Sequence, residues 1–180
     1  FVQPGDIKYK DLFGDGVIDE NDKTKIGDAS MPKYNFALQL GFSWRNLDFF
    51  ALFQGVAGRD VNLLNTPQAR AFVNNCNVYE IAKDRWAYYP EQGIDTRSTA
   101  KFPRLSLQDN NNNYQPSTFW MCNGDFLKLR NLELGYSLPK RWLGKIRIES
   151  ARIYVNAVNL FEVSKLKSDY GVDAEVISGY

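Results

Sequence analysis

The sequence predicts an all-β chain of antiparallel strands, on three observations. "YNFALQLGFSW" alternates strictly with period two; "LDFFALFQGVAG" does the same two residues later; and the connections between such runs are alternately short and long. In the first run Phe36, Leu38, Leu40, Phe42 and Trp44 occupy one face. Asn35, Ala37, Gln39, Gly41 and Ser43 occupy the other. A tight connection at Arg45-Asn46 leads to the second run, with Leu47, Phe49, Ala51 and Phe53 on one face and Asp48 and Gln54 on the other. The pair reads as a hairpin whose strands, near ~10 residues each, are long enough to cross a bilayer when tilted.

A β-sandwich strand also alternates, so alternation alone leaves a sandwich and a membrane barrel open. Two details favour the barrel. Large, often aromatic residues fill one face, while Gln, Ser, Asn and Gly on the other suit a polar lumen. Trp44 ends its strand, where an aromatic girdle belongs.

A third strand is predicted over 126–138, "FLKLRNLELGYSL". Its apolar phase is odd at Leu127 and Leu129 and even at Leu132, Leu134 and Tyr136. One extra residue in the ladder accounts for the change, so a β-bulge is expected near Arg130-Asn131. The fourth strand is "ARIYVNAVNLF", with Ala151, Ile153, Val155 and Ala157 opposed to Arg152, Tyr154 and Asn156. A charge facing lipid at the midplane costs ~2–4 kcal/mol, so Arg152 belongs on the lumen side or near an interface.

The connections fit a barrel with short turns on one side and long loops outside. Residues 1–33 form a first loop, 34–56 a barrel hairpin, and 57–118 a long loop. Residues 119–180 hold further strands, a turn beginning at Pro139 and the start of another loop. Within the long loop a helix is predicted over about Pro67 to Tyr88. The Asn-rich run Asn110 to Asn113 is expected to be a mobile tip, and Asp84-Arg85 a local ion pair.

Composition excludes several activities. Lys plus Arg number 22 and Asp plus Glu 21, which gives no net charge to attract nucleic acid or anionic lipid. The basic stretch "PKRWLGKIRIESAR" reads as a solvated turn. Histidine is absent, which removes Ser–His triads and HExxH zinc sites, and no carboxylate pair is placed for catalysis. The chain is therefore read as no enzyme. Cys76 and Cys122 match no metal spacing and are read as free thiols or one disulfide. No apolar run of ~20 residues is present to form a spanning helix. The chain opens on "FVQPGD" without an initiator Met, as a piece of a longer protein would.

"DLFGDGVIDEND" resembles a calcium loop with one ligand missing. Asp11, Asp15, Asp19 and Asp22 hold positions 1, 5, 9 and 12, Gly16 holds the turn position, and Phe13 stands where an oxygen is normal. Its flanks are not helical, so it is no EF-hand. One reading is calcium held by Asp11, Asp15, the Val17 carbonyl, Asp19 and Asp22, with affinity weakened to about 10⁻⁴–10⁻³ M. The other is an Asp-rich turn held by its own backbone. Trp86, Tyr88, Tyr89 and Trp120, in or beside the long loop, are the substrate-stacking candidates, with packing of the loop the competing role.

Taken together, "PGDIKYKDLFGDGVIDENDKTKIGDASMPKYNFALQLGFSWRNLDFFALFQGVAG", "DRWAYYPEQG", "FPRLS", "FLKLRNLELGYSLP" and "ARIYVNAVNLF" closely resemble the C-terminal barrel region of the SusC/RagA family. These are TonB-dependent outer-membrane transporters of Bacteroidetes. The resemblance runs in order from about Pro4 to Phe161. It implies part of a large, 22-stranded transmembrane barrel with an N-terminal plug, integral to the outer membrane. It also implies a SusD-like surface lipoprotein partner, energy from TonB, and import of glycans or peptides. It puts the Asp-rich loop outside the membrane, leading into the Pro32-Lys33-Tyr34 strand. The plug, the TonB-binding segment and the closing strand of the family are not in this sequence. The competing function is a soluble, calcium-dependent carbohydrate-binding β-sandwich module or adhesin.

Overall fold

A computed structural model describes residues 2–144 and 148–175. Eight strands are present among them: β1 Tyr34–Trp44, β2 Leu47–Ala57, β3 Asp60–Asn62, β4 Tyr88–Tyr89, β5 Ile94–Asp95, β6 Met121–Asn123, β7 Phe126–Ser137 and β8 Arg152–Ser164. Two short helices, α1 Lys140–Leu143 and α2 Lys165–Tyr170, follow β7 and β8. The four long strands form one antiparallel sheet in the order β1-β2-β7-β8. β3 pairs with β6, and β4 with β5, as small ribbons.

The period-two pattern becomes two chemically distinct faces. Directly paired residues share a face. Phe42 opposite Phe49 and Leu40 opposite Ala51 therefore continue into Leu134 and Leu132 of β7, then Val155 and Ala157 of β8. Much of this apolar face is bare: Phe36, Leu38, Phe42, Val155 and Val163 are all exposed. Phe42 and Phe49 stack with ring centroids 5.1 Å apart, a cross-strand aromatic pair on that surface. The opposite face carries Gln39, Ser43, Asp48, Gln54, Asn131, Glu133, Arg152 and Asn156, with Phe50 and Leu52 among them.

The two-residue turn between β1 and β2 puts Arg45 at φ 56°, the left-handed value such turns need at their first position. The bulge lies where the phase change predicts it. Leu129 pairs with Phe53 and Asn131 with Leu52, so Arg130 is the extra residue. β8 bends at the same level, with Asn159 at φ 52°.

The long connections are packed rather than loose. Val61, Leu63, Ala69, Trp120, Cys122, Leu166 and Ala174 form a core over the Val56 and Phe126 ends of β2 and β7. Three sequence expectations are corrected here. The helix over 67–88 is a series of 3-10 turns, at Pro67–Arg70, Val73–Asn75 and Glu80–Asp84. Phe72, at φ 66°, and Asn74, at φ 50°, break any continuous α-helix. Asn110 to Asn113 is a clamp and not a loose tip: the Asn113 side chain accepts from Ile7 N and donates to Asp6 Oδ1, both at 2.8 Å. The Asn112 amide donates to the Ile7 carbonyl at 2.9 Å. Asp84 and Arg85 do not pair. Asp84 meets Lys101 at 3.4 Å, and Arg85 donates to the Ala82 carbonyl at 3.1 Å. Of the basic stretch after Pro139, residues 145–147 lie outside the described residues, as do 176–180 at the end of the last predicted segment.

Candidate functional site

The charged residues that interrupt the strands gather in two clusters on the polar face. At the turn end, Arg152 reaches Asp48, from Nε at 3.1 Å, and Glu133 at 2.5 Å. Arg152 thus lies on the polar face with its two carboxylates. At the loop end, Lys128 contacts Glu162 at 3.1 Å, Asp173 at 2.6 Å and Glu175 at 3.0 Å. Lys128 and Glu162 are almost fully buried, with side-chain exposures of 4% and 3%. Arg130, projecting from the bulge, donates to Gln54 at 2.8 Å, to Asn159 at 3.1 Å and to both Glu175 oxygens. The Arg130 guanidinium holds the Glu175 carboxyl below the usual carboxylate range, and Lys128 acts in the same direction. Sequence reading missed this second cluster. Its signal was available: Lys128, Arg130 and Glu162 are the ionisable residues at the loop ends of β7 and β8.

In the Asp-rich loop the four carboxylates turn inward onto backbone N–H groups. Asp11 accepts from Gly14 and Gly16, Asp15 from Val17, and Asp19 from Asn21. Asp22 accepts from Leu12 at 2.7 Å, Phe13 at 3.2 Å and Asp19 at 2.9 Å. Asp19 and Asp22 close a capping box on the turn Glu20–Asp22. The N–H of Asp19, with those of Leu12 and Phe13, holds Asp22 below its ordinary carboxylate range. Among the described residues no three acidic, thiol or imidazole groups stand so that they could hold a metal. As arranged, Asp11, Asp15, Asp19 and Asp22, with Val17 exposed between them, form a turn bonded to its own backbone.

The aromatic candidates separate. Trp120 is 1% exposed, donates from Nε1 to the Asn113 carbonyl at 2.7 Å, and meets Phe119 edge-on at 4.8 Å. It is a packing residue with no free face. Trp86 is half-buried, and its ring lies against Gly5, where a Cβ would come within 2.5 Å of it. Gly5 has φ +89°, so both space and backbone demand glycine there. Tyr88 is exposed and covered on one face by Arg97 at 3.7 Å. Tyr89 is exposed beside it. A shallow hollow of about 740 Å³ opens elsewhere, between Phe36, Phe126, Val163 and Lys167. Both cysteines are free thiols, Cys76 exposed and Cys122 buried.

No family model matches the chain. Similar sequences are TonB-dependent receptor P26 of Formosa agariphila, 28% identical over 158 residues, covering 87% of this chain and 15% of that protein. TonB-dependent receptor P3 of the same organism is 26% identical over 173 residues, covering 96% of this chain and 16% of that protein. The RagAB peptide transporter shares the fold with a TM-score of 0.56 at 25% identity, over 83% of this chain and 16% of the matched one. In sequence the chain is similar to TonB-dependent receptors and in fold to the RagAB transporter, and most of the chain takes part in each match. The RagAB peptide importer in its open-open and closed-closed states matches equally, with a TM-score of 0.55. This SusC/RagA-like chain spans about a sixth of the length of the proteins it matches.

Proposed function

We propose that this segment is part of the wall of an outer-membrane transporter that imports oligopeptides or oligosaccharides, powered through TonB and capped by a SusD-like lipoprotein. The observation that carries the reading is the two-faced sheet. Its apolar face is exposed along β1 and β8, while Asp48, Glu133 and Arg152 neutralise one another on the other face. A spanning sheet needs this division, with lipid outside and a hydrated passage inside. Among the described residues the outer edges of β1 and β8 are unpaired, which adds support because barrel strands bond to neighbours on both sides.

Peptide is the first substrate class to try, since proteins described as peptide importers share this fold. The whole transporter would be expressed in a host lacking its own uptake system. Energy-dependent accumulation of labelled oligopeptides or oligosaccharides, lost on deleting residues 34–57, supports the reading. Recovery of the parent protein in the soluble fraction, with no heat-dependent gel shift, sinks it in favour of the sandwich module.

A further inference from the structure

Beyond β8 the chain does not continue away from the sheet. α2 buries Leu166, Gly171 reverses the chain at φ +66°, and residues 171–175 return over the polar face of β7 and β8. Ala174 is fully buried; its N–H donates to Glu162 at 3.1 Å and its carbonyl accepts from Arg59. Asp173 and Glu175 are bound by Lys128 and Arg130.

The two sides of this contact differ in one respect. Asp173 and Glu175 keep side-chain exposures of 48% and 38%, so water can replace their partners. The groups beneath them have second partners that stay when the segment leaves. Lys128 retains Glu162, Arg130 retains Gln54 and Asn159, and Arg59 retains the Gly124 carbonyl at 2.9 Å. Stranding a buried charge is the usual barrier to opening an ion cluster, and here each cation keeps at least one partner. Opening costs the Arg59–Ala174 hydrogen bond and the burial of Val172 and Ala174, so the closed arrangement is the favoured one of the two.

We propose that residues 171–175 form an ionically latched strap, hinged at Gly171, that closes over the inner wall when Lys128 and Arg130 capture Asp173 and Glu175 and clears it when they release. The inference rests on the reading of the polar face as a lumen wall. Its test reads strap position alone, whatever the protein imports.

The experiment uses the complete transporter in outer-membrane vesicles, with Ala174→Cys as a thiol probe and a water-soluble maleimide. Labelled peptides are located by mass spectrometry, and the native buried Cys122 serves as internal control. Asp173→Asn with Glu175→Gln is expected to raise labelling at position 174 about tenfold and leave Cys122 unlabelled. Arg130→Glu combined with Glu175→Arg restores slow labelling by re-forming the pair in reverse. Unchanged labelling at 174 overturns the latch. An equal rise at Cys122 also overturns it, since the whole loop core would then be unfolding. Should Ala174→Cys disturb folding, amide exchange of 171–175 against β2 in the native sequence background gives the same decision: selective loss of protection supports the strap, and uniform loss or none refutes it.

Discussion

Arg152 Nε donates to Asp48 Oδ1 at 3.1 Å across the full width of β7, although 104 residues separate them in sequence. The residue between them is Gly135, which pairs with Asp48 on one side and Tyr154 on the other. A Cβ at Gly135 would meet the Arg152 guanidinium, and the Asp48 carboxylate at 2.5 Å. The glycine is thus a gap through which the two side chains touch.

Gly135→Ala should therefore act by separating Arg152 from Asp48, because both are flexible side-chain ends and the backbone itself is not obstructed. In thermal gel-shift measurements on the complete protein, the single substitutions Gly135→Ala and Arg152→Ala each lower the midpoint. The double variant is expected to be no worse than Arg152→Ala. Additive losses would mean that Gly135 serves the backbone.

The bulge gives a second test. With Arg130 as the extra residue, Leu129 and Leu132 share the apolar face although three positions apart, and Lys128 and Asn131 share the polar one. Spin labels at 127 and 132, an odd number of positions apart yet on one face, should respond to oxygen, and one at 131 to a water-soluble quencher. Deleting Arg130 leaves Leu127, Leu129, Leu132 and Leu134 in strict alternation with Lys128, Asn131 and Glu133, so both halves of β7 keep their faces. That variant is expected to keep a folded, heat-modifiable species and to lose only the Arg130 contacts to Gln54, Asn159 and Glu175.

The strands and the bulge were legible because both are written as local periodicity. Phe36 to Trp44 can satisfy only a two-faced strand, and the phase change at Arg130-Asn131 has one simple cause. The loop core was not legible. Asn113 is buried by residues 106 or 107 positions away, and nothing next to it in sequence distinguishes it from a solvent-exposed asparagine. The ionic strap was hidden for the same reason, with Lys128 and Glu175 separated by 47 residues. In the Asp-rich loop the residue types were clear and their partners were not: carboxylates at calcium-loop spacing also match a turn's N–H groups.

That loop makes a pH-dependent prediction. Asp22 is held ionised by backbone N–H groups, so its folded pKa lies below its unfolded value of ~3.9. The contribution is then present above about pH 4 and is lost as pH falls through the folded value. Amide protection of Leu12, Phe13 and Asp19 should persist to lower pH than an ordinary carboxylate allows. Asp22→Ala should abolish it at neutral pH. Millimolar calcium is expected to add little, because the four carboxylates are already anchored on backbone N–H groups. A large calcium-dependent gain in protease resistance around residues 11–22, lost in Asp15→Ala, would overturn the self-bonded turn.

Asn113 offers a comparison within one short run. Asn113→Ala leaves the Ile7 N–H without its acceptor and takes a donor from Asp6, a buried-polar loss of ~1–3 kcal/mol. Asn111, exposed in the same run, should tolerate alanine within about 0.5 kcal/mol. Limited proteolysis of the complete protein should then cut within residues 2–10 only in the Asn113 variant. Equal effects at the two positions would return the run to a loose tip.

Among the described residues β1 and β8 each present one unpaired side, and their apolar faces expose Phe36, Leu38, Phe42, Val155 and Val163. In hydrocarbon every unpaired N–H or C=O costs several kcal/mol, so these strands need neighbours there. In water the same edges template pairing with another copy, and the apolar surface reinforces it. The loop core does not compensate, because it covers only the Val56 and Phe126 ends of the sheet. Residues 1–180 expressed alone without denaturant should therefore aggregate or require detergent. Joined to the remaining strands of the same transporter, they should fold with a heat-dependent shift in gel mobility. A monodisperse, water-soluble monomer that melts cooperatively would contradict the barrel assignment, since such a product must cover the exposed face of β1 and β8 in some other way.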